Sequence, residues 1–119
     1  MSEKIMKKSI IAEKSFEFSI KIVNLCKEQR FNTMEFELFR QLIKSGTSIG
    51  ANVEEALAGQ SKKDFIAKMS IAAKEARESN YWLRLLHSTN IINKHELTED
   101  SLELVKILSS IVKTSQEKL

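Results

Sequence analysis

Apolar side chains in the second quarter of the chain recur at alternating steps of three and four residues. The main stripe consists of Phe36, Phe39, Ile43, Gly46, Gly50, Val53 and Leu57. A companion row consists of Leu38, Leu42, Ser45, Ile49, Asn52 and Ala56. Together the two rows predict an α-helix with a broad buried face. Neither a strand nor a narrow coiled-coil seam shows this pattern. A capping signal at Asn32 and Glu35 and a stop at Gly59 set its bounds at about 33–58.

The same alternation predicts three more helices. The third, over about 62–91, begins at the cap Ser61 and carries the stripe Phe65, Met69, Ala72, Ala76, Ser79, Leu83 and Leu86. The first, over about 8–29, buries Phe16, Ile20 and Val23, with Ile22 and Leu25 beside them. The fourth, over about 98–115, begins at the cap Thr98 and buries Leu104, Leu108 and Ile111. Short connections make neighbouring helices antiparallel, so we expect an all-α, up-down-up-down four-helix bundle forming one domain over residues 1–119.

Small residues replace large ones near the middle of two predicted core stripes. They are Gly46 and Gly50 on the second helix, and Ala72, Ala76 and Ser79 on the third. Glycine within a helix costs about 1 kcal/mol relative to alanine, so its presence indicates a packing requirement. We interpret the set as close packing of the second helix on the third. A ligand contact is the alternative interpretation.

Composition agrees with a small helical protein. The 119 residues contain no proline and three glycines, too few turn formers for a β-sandwich or barrel. Cys26 is the single cysteine, which excludes an intrachain disulfide and a cysteine-based zinc site and fits a reducing cytoplasm. No apolar run approaches the roughly 18 residues of a membrane span, so we expect no membrane association.

Positive charge is concentrated in the first and third helices. The net charge is +3, but residues 61–93 alone carry six basic against three acidic side chains. A candidate nucleic-acid surface consists of Lys63, Lys74, Arg77, Tyr81 and Arg84 on the third helix, with Lys7, Lys14 and Lys21 on the first. Such rows can follow a phosphate backbone. A plain solvated face is the alternative.

A second exposed stripe lies on the flank of the third helix. It consists of Ile71, Glu75, Glu78, Trp82 and Leu85. A bundle helix needs one buried face, so further apolar side chains beside that face indicate a subunit interface. The alternative is that the first or fourth helix covers them.

The sequence predicts no catalytic residue, no metal site and no cofactor. The Glu-x-x-His pairs of di-metal bundles are missing, and no glycine-rich phosphate loop or nucleophile motif occurs. The four carboxylates Glu54, Glu55, Glu75 and Glu78 suggest salt bridges between helices. A small enzyme built on them, with or without a metal, is the alternative.

Four runs of residues identify a family resemblance. They are residues 45–56 (SGTSIGANVEEA), 61–65 (SKKDF), 71–78 (IAAKEARE) and 81–83 (YWL). The chain resembles the bacterial four-helix bundle family that includes the 23S rRNA intervening-sequence proteins, and it is similar to the accessory proteins of diversity-generating retroelements. The resemblance extends over nearly the whole chain and is strongest from Ser45 to Leu86.

The resemblance implies a homopentameric ring and, as partners, RNA or a nucleic-acid-handling protein. It also marks a set of polar signature positions: Asn52, Glu55, Lys74, Glu75 and Glu78. Because buried charges need partners, we expect these side chains to form a polar network where the second and third helices meet each other or the next subunit.

Our leading hypothesis is a non-enzymatic, homo-oligomeric interaction scaffold in the cytoplasm. Direct RNA binding through the basic faces of the first and third helices is the alternative.

Overall fold

The computed structural model describes residues 3–29 and 32–118, with side chains from residue 10 onward in the first helix. The helices are α1 (Glu3–Glu28), α2 (Thr33–Ala58), α3 (Lys62–Ser88) and α4 (His95–Glu117). Each helix packs on its neighbours in the chain, and α4 packs back on α1, so that α1 and α3 lie on a diagonal. The bundle measures 47 × 21 × 20 Å. This arrangement confirms the predicted all-α bundle.

Side-chain caps begin α2 and α3 where the sequence predicts them. The Asn32 side-chain oxygen accepts a 2.9 Å hydrogen bond from the Glu35 amide. The Ser61 hydroxyl accepts a 3.1 Å bond from the Asp64 amide. Gly59 follows the last residue of α2. Each cap pairs an amide that the helix itself leaves without a partner, which explains why these bounds are readable from sequence.

The connection between α3 and α4 differs from the prediction. Asn90 has a φ of 61°, in the left-handed region, and the following amide of Ile91 donates to the Leu86 carbonyl. This C-terminal cap ends α3 three residues before the predicted bound of 91. α4 then begins at His95 without a side-chain cap, and the Thr98 hydroxyl is buried with no hydrogen-bond partner. The prediction that Thr98 caps the fourth helix is therefore wrong.

The predicted α3 stripe is buried from Met69 to Leu86, and every buried residue of α2 belongs to one of its two predicted rows. The buried face of α2 combines members of both rows: Phe39, Leu42, Ser45, Gly46, Ile49, Val53 and Ala56. Phe36 and Leu57, at the two ends of the predicted stripe, are 54% and 41% exposed. The side chains that face the core come from the part of the α2 surface where the two rows adjoin. The outer members of both rows therefore lie at the edge of the core, where they are partly exposed to solvent.

The predicted core of the first helix is confirmed for Ile22 and Leu25, which are buried, but its main stripe is wrong. Phe16, Ile20 and Val23 are 60%, 45% and 37% exposed. The buried row instead consists of Ile11, Ser15, Phe18, Ile22 and Leu25. α1 carries two apolar rows, and hydrophobic spacing alone does not choose between them. The helix also begins at Glu3, earlier than the predicted residue 8.

Both glycines of α2 face the buried row of α1. A Cβ atom at Gly46 would lie 3.0 Å from Ile22 Cγ1, and one at Gly50 would lie 3.4 Å from the Ser15 carbonyl oxygen. The close approach of α1 to α2 therefore depends on Gly46, and the prediction that the two glycines pack against the third helix is wrong. Ala72, Ala76 and Ser79 are fully buried in the core as expected.

Hydroxyl groups make the close contact between α2 and α3. The buried Ser79 hydroxyl donates a 3.0 Å hydrogen bond to Ser45 Oγ, which donates in turn to the Leu42 carbonyl at 3.2 Å. This chain of bonds fixes the relative height of the two helices, since both polar groups would otherwise be buried without partners.

Candidate functional site

An exposed apolar surface follows the seam between α1 and α2. We call it the α1/α2 strip; its members are Phe16, Ile20, Val23, Phe36 and Leu57. The Ser19 hydroxyl, 3.5 Å from the Gly46 carbonyl oxygen, marks the seam, and Phe16 and Val23 lie one turn to either side of it. On α2, Leu57 follows Gly50 by two turns and Phe36 precedes it by four, so both share the side that faces α1. Apolar side chains thus border this seam from both helices.

The predicted oligomer interface borders a different side of α2, next to α3. We call it the α3 flank: Ile71, Glu75, Glu78, Trp82 and Leu85. Ser79, which bonds to Ser45 of α2, lies one turn from both Glu75 and Trp82. Ile71 is 40% exposed, whereas Trp82 and Leu85 are half-buried and Trp82 packs against the core. Because α4 lies on the other side of α3 and α1 lies on the diagonal, neither covers the flank.

Glu75 is the most enclosed charged group of the α3 flank. Burial raises the pKa of its carboxyl, and the neighbouring Glu78 adds to the rise. The Lys74 ammonium is 4.0 Å away, at the limit of an ion pair. Glu75 therefore carries a charge that the chain itself compensates only weakly.

The predicted polar network is not joined across α2 and α3 among the described residues. The Asn52 amide donates to the Ser48 carbonyl of its own helix at 2.8 Å, and Glu55 is exposed. Lys74, Glu75 and Glu78 interact with one another along α3. A network between subunits stays a prediction.

The lysines predicted on the first helix are engaged by α4. Lys14 Nζ lies 2.9 Å from Glu103 Oε1. Lys21 Nζ lies 2.9 Å from both Glu96 Oε1 and Asp100 Oδ2, whose hydrogen bonds raise the pKa of the lysine. These carboxylates neutralise Lys14 and Lys21, and the diagonal position of α1 separates the two lysines from α3. The side chain of Lys7 lies outside the described residues.

The cationic row of α3 is exposed as predicted: Lys63, Lys74, Arg77, Tyr81 and Arg84. Arg84 donates from Nε to the Asn80 side-chain oxygen at 2.9 Å, and its guanidinium carbon lies 5.9 Å from the centre of the Tyr81 ring. Within the described residues no carboxylate forms an ion pair with Lys63, Arg77 or Arg84. This face therefore keeps its positive charge.

Sequence reasoning missed one cation beside this row. Lys113 of α4 and Arg77 line a shallow groove of about 220 Å³ between the two helices. The remaining lining is small or uncharged: Ser70, Ala73, Ser109, Val112 and Gln116. The sequence marks Lys113 as polar, but only the packing of α4 against α3 brings it to the same groove as Arg77.

The described residues contain no group of three or more His, Cys, Asp or Glu side chains that could hold a metal ion. The glutamates Glu54, Glu55, Glu75 and Glu78 accordingly form no such group. The two imidazoles, His87 and His95, stack at the α3–α4 junction with ring centres 4.4 Å apart. Burial raises the pKa of the half-buried Cys26 thiol.

Comparison with known proteins places the chain in a family. The model of the 23S rRNA-intervening sequence protein family matches residues 7–113. A crystal structure from Bacteroides thetaiotaomicron, described as a protein with unknown function from the S23 ribosomal protein family, is 45% identical and superposes with a TM-score of 0.82. The match covers 90% of this chain and 98% of that one.

No curated protein matches the chain. In the part of the chain that the structure describes, every helix is too short or too polar to cross a membrane. The extent of the family match, together with the shared bundle, leads to one assignment: the chain belongs to the 23S rRNA-intervening sequence protein family.

Proposed function

We propose that the protein is a homo-oligomeric scaffold in the cytoplasm that acts through its surfaces and performs no catalysis. The observation that carries the proposal is that apolar side chains reach the surface on two different sides of α2: in the exposed α1/α2 strip, and in the α3 flank, where Ile71 is exposed beside the half-buried Trp82 and Leu85. Two different surfaces suit a head-to-tail contact, in which the strip of one subunit packs on the flank of the next.

The directions of the two surfaces support a small closed ring. Adjacent sides of a bundle with a 21 × 20 Å cross-section face about 90° apart. A closed ring needs two contact faces that diverge by about 90° for four subunits and about 108° for five. This geometry favours a tetramer or pentamer, and the family resemblance favours the pentamer. In such a ring α2 faces the axis and α4 lies outermost.

The first experiment measures mass in solution by light scattering and native mass spectrometry. We expect about five times the 13.6 kDa of one chain. Val23→Asp in the strip and Ile71→Asp in the flank should each give monomers, because a charge in an apolar contact loses its hydration. The control is Leu102→Asp on α4, since Leu102 is 46% exposed but lies in neither surface.

A mixing experiment separates a head-to-tail ring from a symmetric dimer. In an equal mixture of the Val23→Asp and Ile71→Asp proteins, one intact strip and one intact flank remain per pair. A head-to-tail contact then gives heterodimers and nothing larger. A monomeric wild type, or a ring that survives either substitution, would overturn the scaffold proposal.

The second candidate function is direct RNA binding. It is favoured by the α3 row, which keeps its positive charge while Lys14 and Lys21 of α1 are paired with α4. The family's name refers to 23S rRNA, which agrees with RNA as a partner. Reversing Arg77 and Arg84 to glutamate should abolish a salt-sensitive complex with RNA. Unchanged binding would exclude this face.

A further inference from the structure

Tyr81 lies in the middle of the cationic row of α3. It follows Arg77 by four residues and precedes Arg84 by three, so the three side chains share one face of the helix. Its ring is 51% exposed. The Trp82 ring meets it nearly edge-on, with centres 5.1 Å apart and planes at 76°. A half-exposed aromatic ring therefore stands between two cations, one of which, Arg84, lies over the ring.

Hydrogen bonds from the core fix the position of Arg84. The Asn80 amide nitrogen donates to Ser101 Oγ at 3.0 Å, and Ser101 is fully buried in α4. The Asn80 oxygen accepts from Arg84 Nε. A long side chain held in this way loses less conformational freedom when it binds a ligand.

The groove beside Arg77 suits a nucleic-acid backbone. Lys113 supplies a second cation on the α4 side, and none of the described residues that line the groove carries a carboxylate. The small side chains Ser70, Ala73 and Ser109 leave room for a close approach. A phosphate bound in this groove would lie between cations of two helices, Arg77 of α3 and Lys113 of α4.

We infer that this face of α3 and α4 binds single-stranded nucleic acid, with phosphates at Arg77, Lys113 and Arg84 and a base stacked on Tyr81. The inference rests on the second candidate function and narrows its substrate class. An aromatic platform among cations is useful only to a strand whose bases are free, because a duplex keeps its bases in its own stack. In the proposed ring this face lies on the outside, where it stays accessible.

The test measures fluorescence anisotropy of a labelled oligouridine of about 20 nucleotides and of an RNA duplex of the same length, over a series of salt concentrations. We expect the single strand to bind more tightly. Tyr81→Ala should weaken single-strand binding about tenfold without changing the salt slope, and Tyr81→Phe should retain it. Arg77→Gln should lower the salt slope by about one.

Lys14→Gln is the matched control, because that lysine is paired with Glu103 on the other side of the bundle and should leave binding unchanged. Equal or tighter binding of the duplex, or wild-type affinity of Tyr81→Ala, would overturn the inference and leave a general RNA-binding face. Absence of binding to both probes by folded protein would overturn the inference and the second candidate function together.

Discussion

The contacts that α2 makes and the contact between α1 and α4 are built from different chemistry. Small buried groups form the contacts of α2 with its neighbours: Gly46 packs against Ile22 of α1, and Ser45 is hydrogen-bonded to Ser79 of α3. Exposed ion pairs line the α1–α4 seam, where Lys14 and Lys21 meet three carboxylates. Buried packing supplies most of the stability, whereas exposed pairs supply little. The ion pairs matter chiefly because they decide which cations remain unpaired.

The largest expected effect is the loss of a buried side chain of α2. Ile49→Ala should lower the free energy of unfolding by about 2–5 kcal/mol, because Ile49 is fully buried and its loss leaves a cavity. Chemical denaturation measures the change. The control Leu102→Ala, at a 46% exposed position, should cost much less. Similar losses for both would contradict the assignment of the core.

The hydroxyl pair between α2 and α3 should give the next largest effect. Ser45→Ala should cost about 1–3 kcal/mol, because it removes the acceptor of the buried Ser79 hydroxyl. The double variant Ser45→Ala, Ser79→Ala should recover part of this loss, since no donor is then left unpaired. Denaturation of the three variants measures the coupling. Strictly additive losses would show that the bond does not link the helices.

The two glycines should respond differently to alanine. Gly50→Ala should raise stability by about 1 kcal/mol, because its nearest contact of 3.4 Å is an ordinary one and alanine favours the helix. Gly46→Ala should give no such gain, because the added Cβ would lie 3.0 Å from the buried Ile22 side chain and would force that side chain to move. Thermal unfolding compares the two. Equal stabilisation would mean that α1 can shift freely on α2.

The smallest effect, and the one most sensitive to pH, concerns two glutamates. Lys21 lowers the pKa of Glu96, so the stability from Glu96 is present above the unfolded value of about 4.3 and disappears as the pH falls through the lowered folded pKa. Burial raises the pKa of Glu75, so its ionisation costs stability as the pH rises above about 4.3.

The two substitutions to glutamine should therefore have opposite signs. At about pH 7, Glu96→Gln should lower the denaturation midpoint and Glu75→Gln should raise it, and both differences should shrink near pH 3. Added salt should weaken the Glu96 effect, since that pair is exposed. A loss of stability in Glu75→Gln at pH 7 would indicate a cation partner for Glu75 that the single chain does not supply.

Much of the fold is readable from the sequence. Local signals are sufficient where a side chain acts on its own helix, as the caps Asn32 and Ser61 do. They fail at Thr98, where Asn90 ends α3 and α4 begins without a side-chain cap. For the candidate site, the α3 row is found by its spacing, but the partners of Lys14 and Lys21 on α4 are not.

The sequence by itself determined the number of helices, their approximate extents and the cationic face of α3, because each depends on residues a few positions apart in one helix. The tertiary structure decided which apolar row of α1 is buried, which helix the glycines face, and that Lys113 joins Arg77. Those outcomes depend on the rotation of each helix about its axis. Rotation is set by contacts between residues far apart in the chain, which periodicity within one helix does not record.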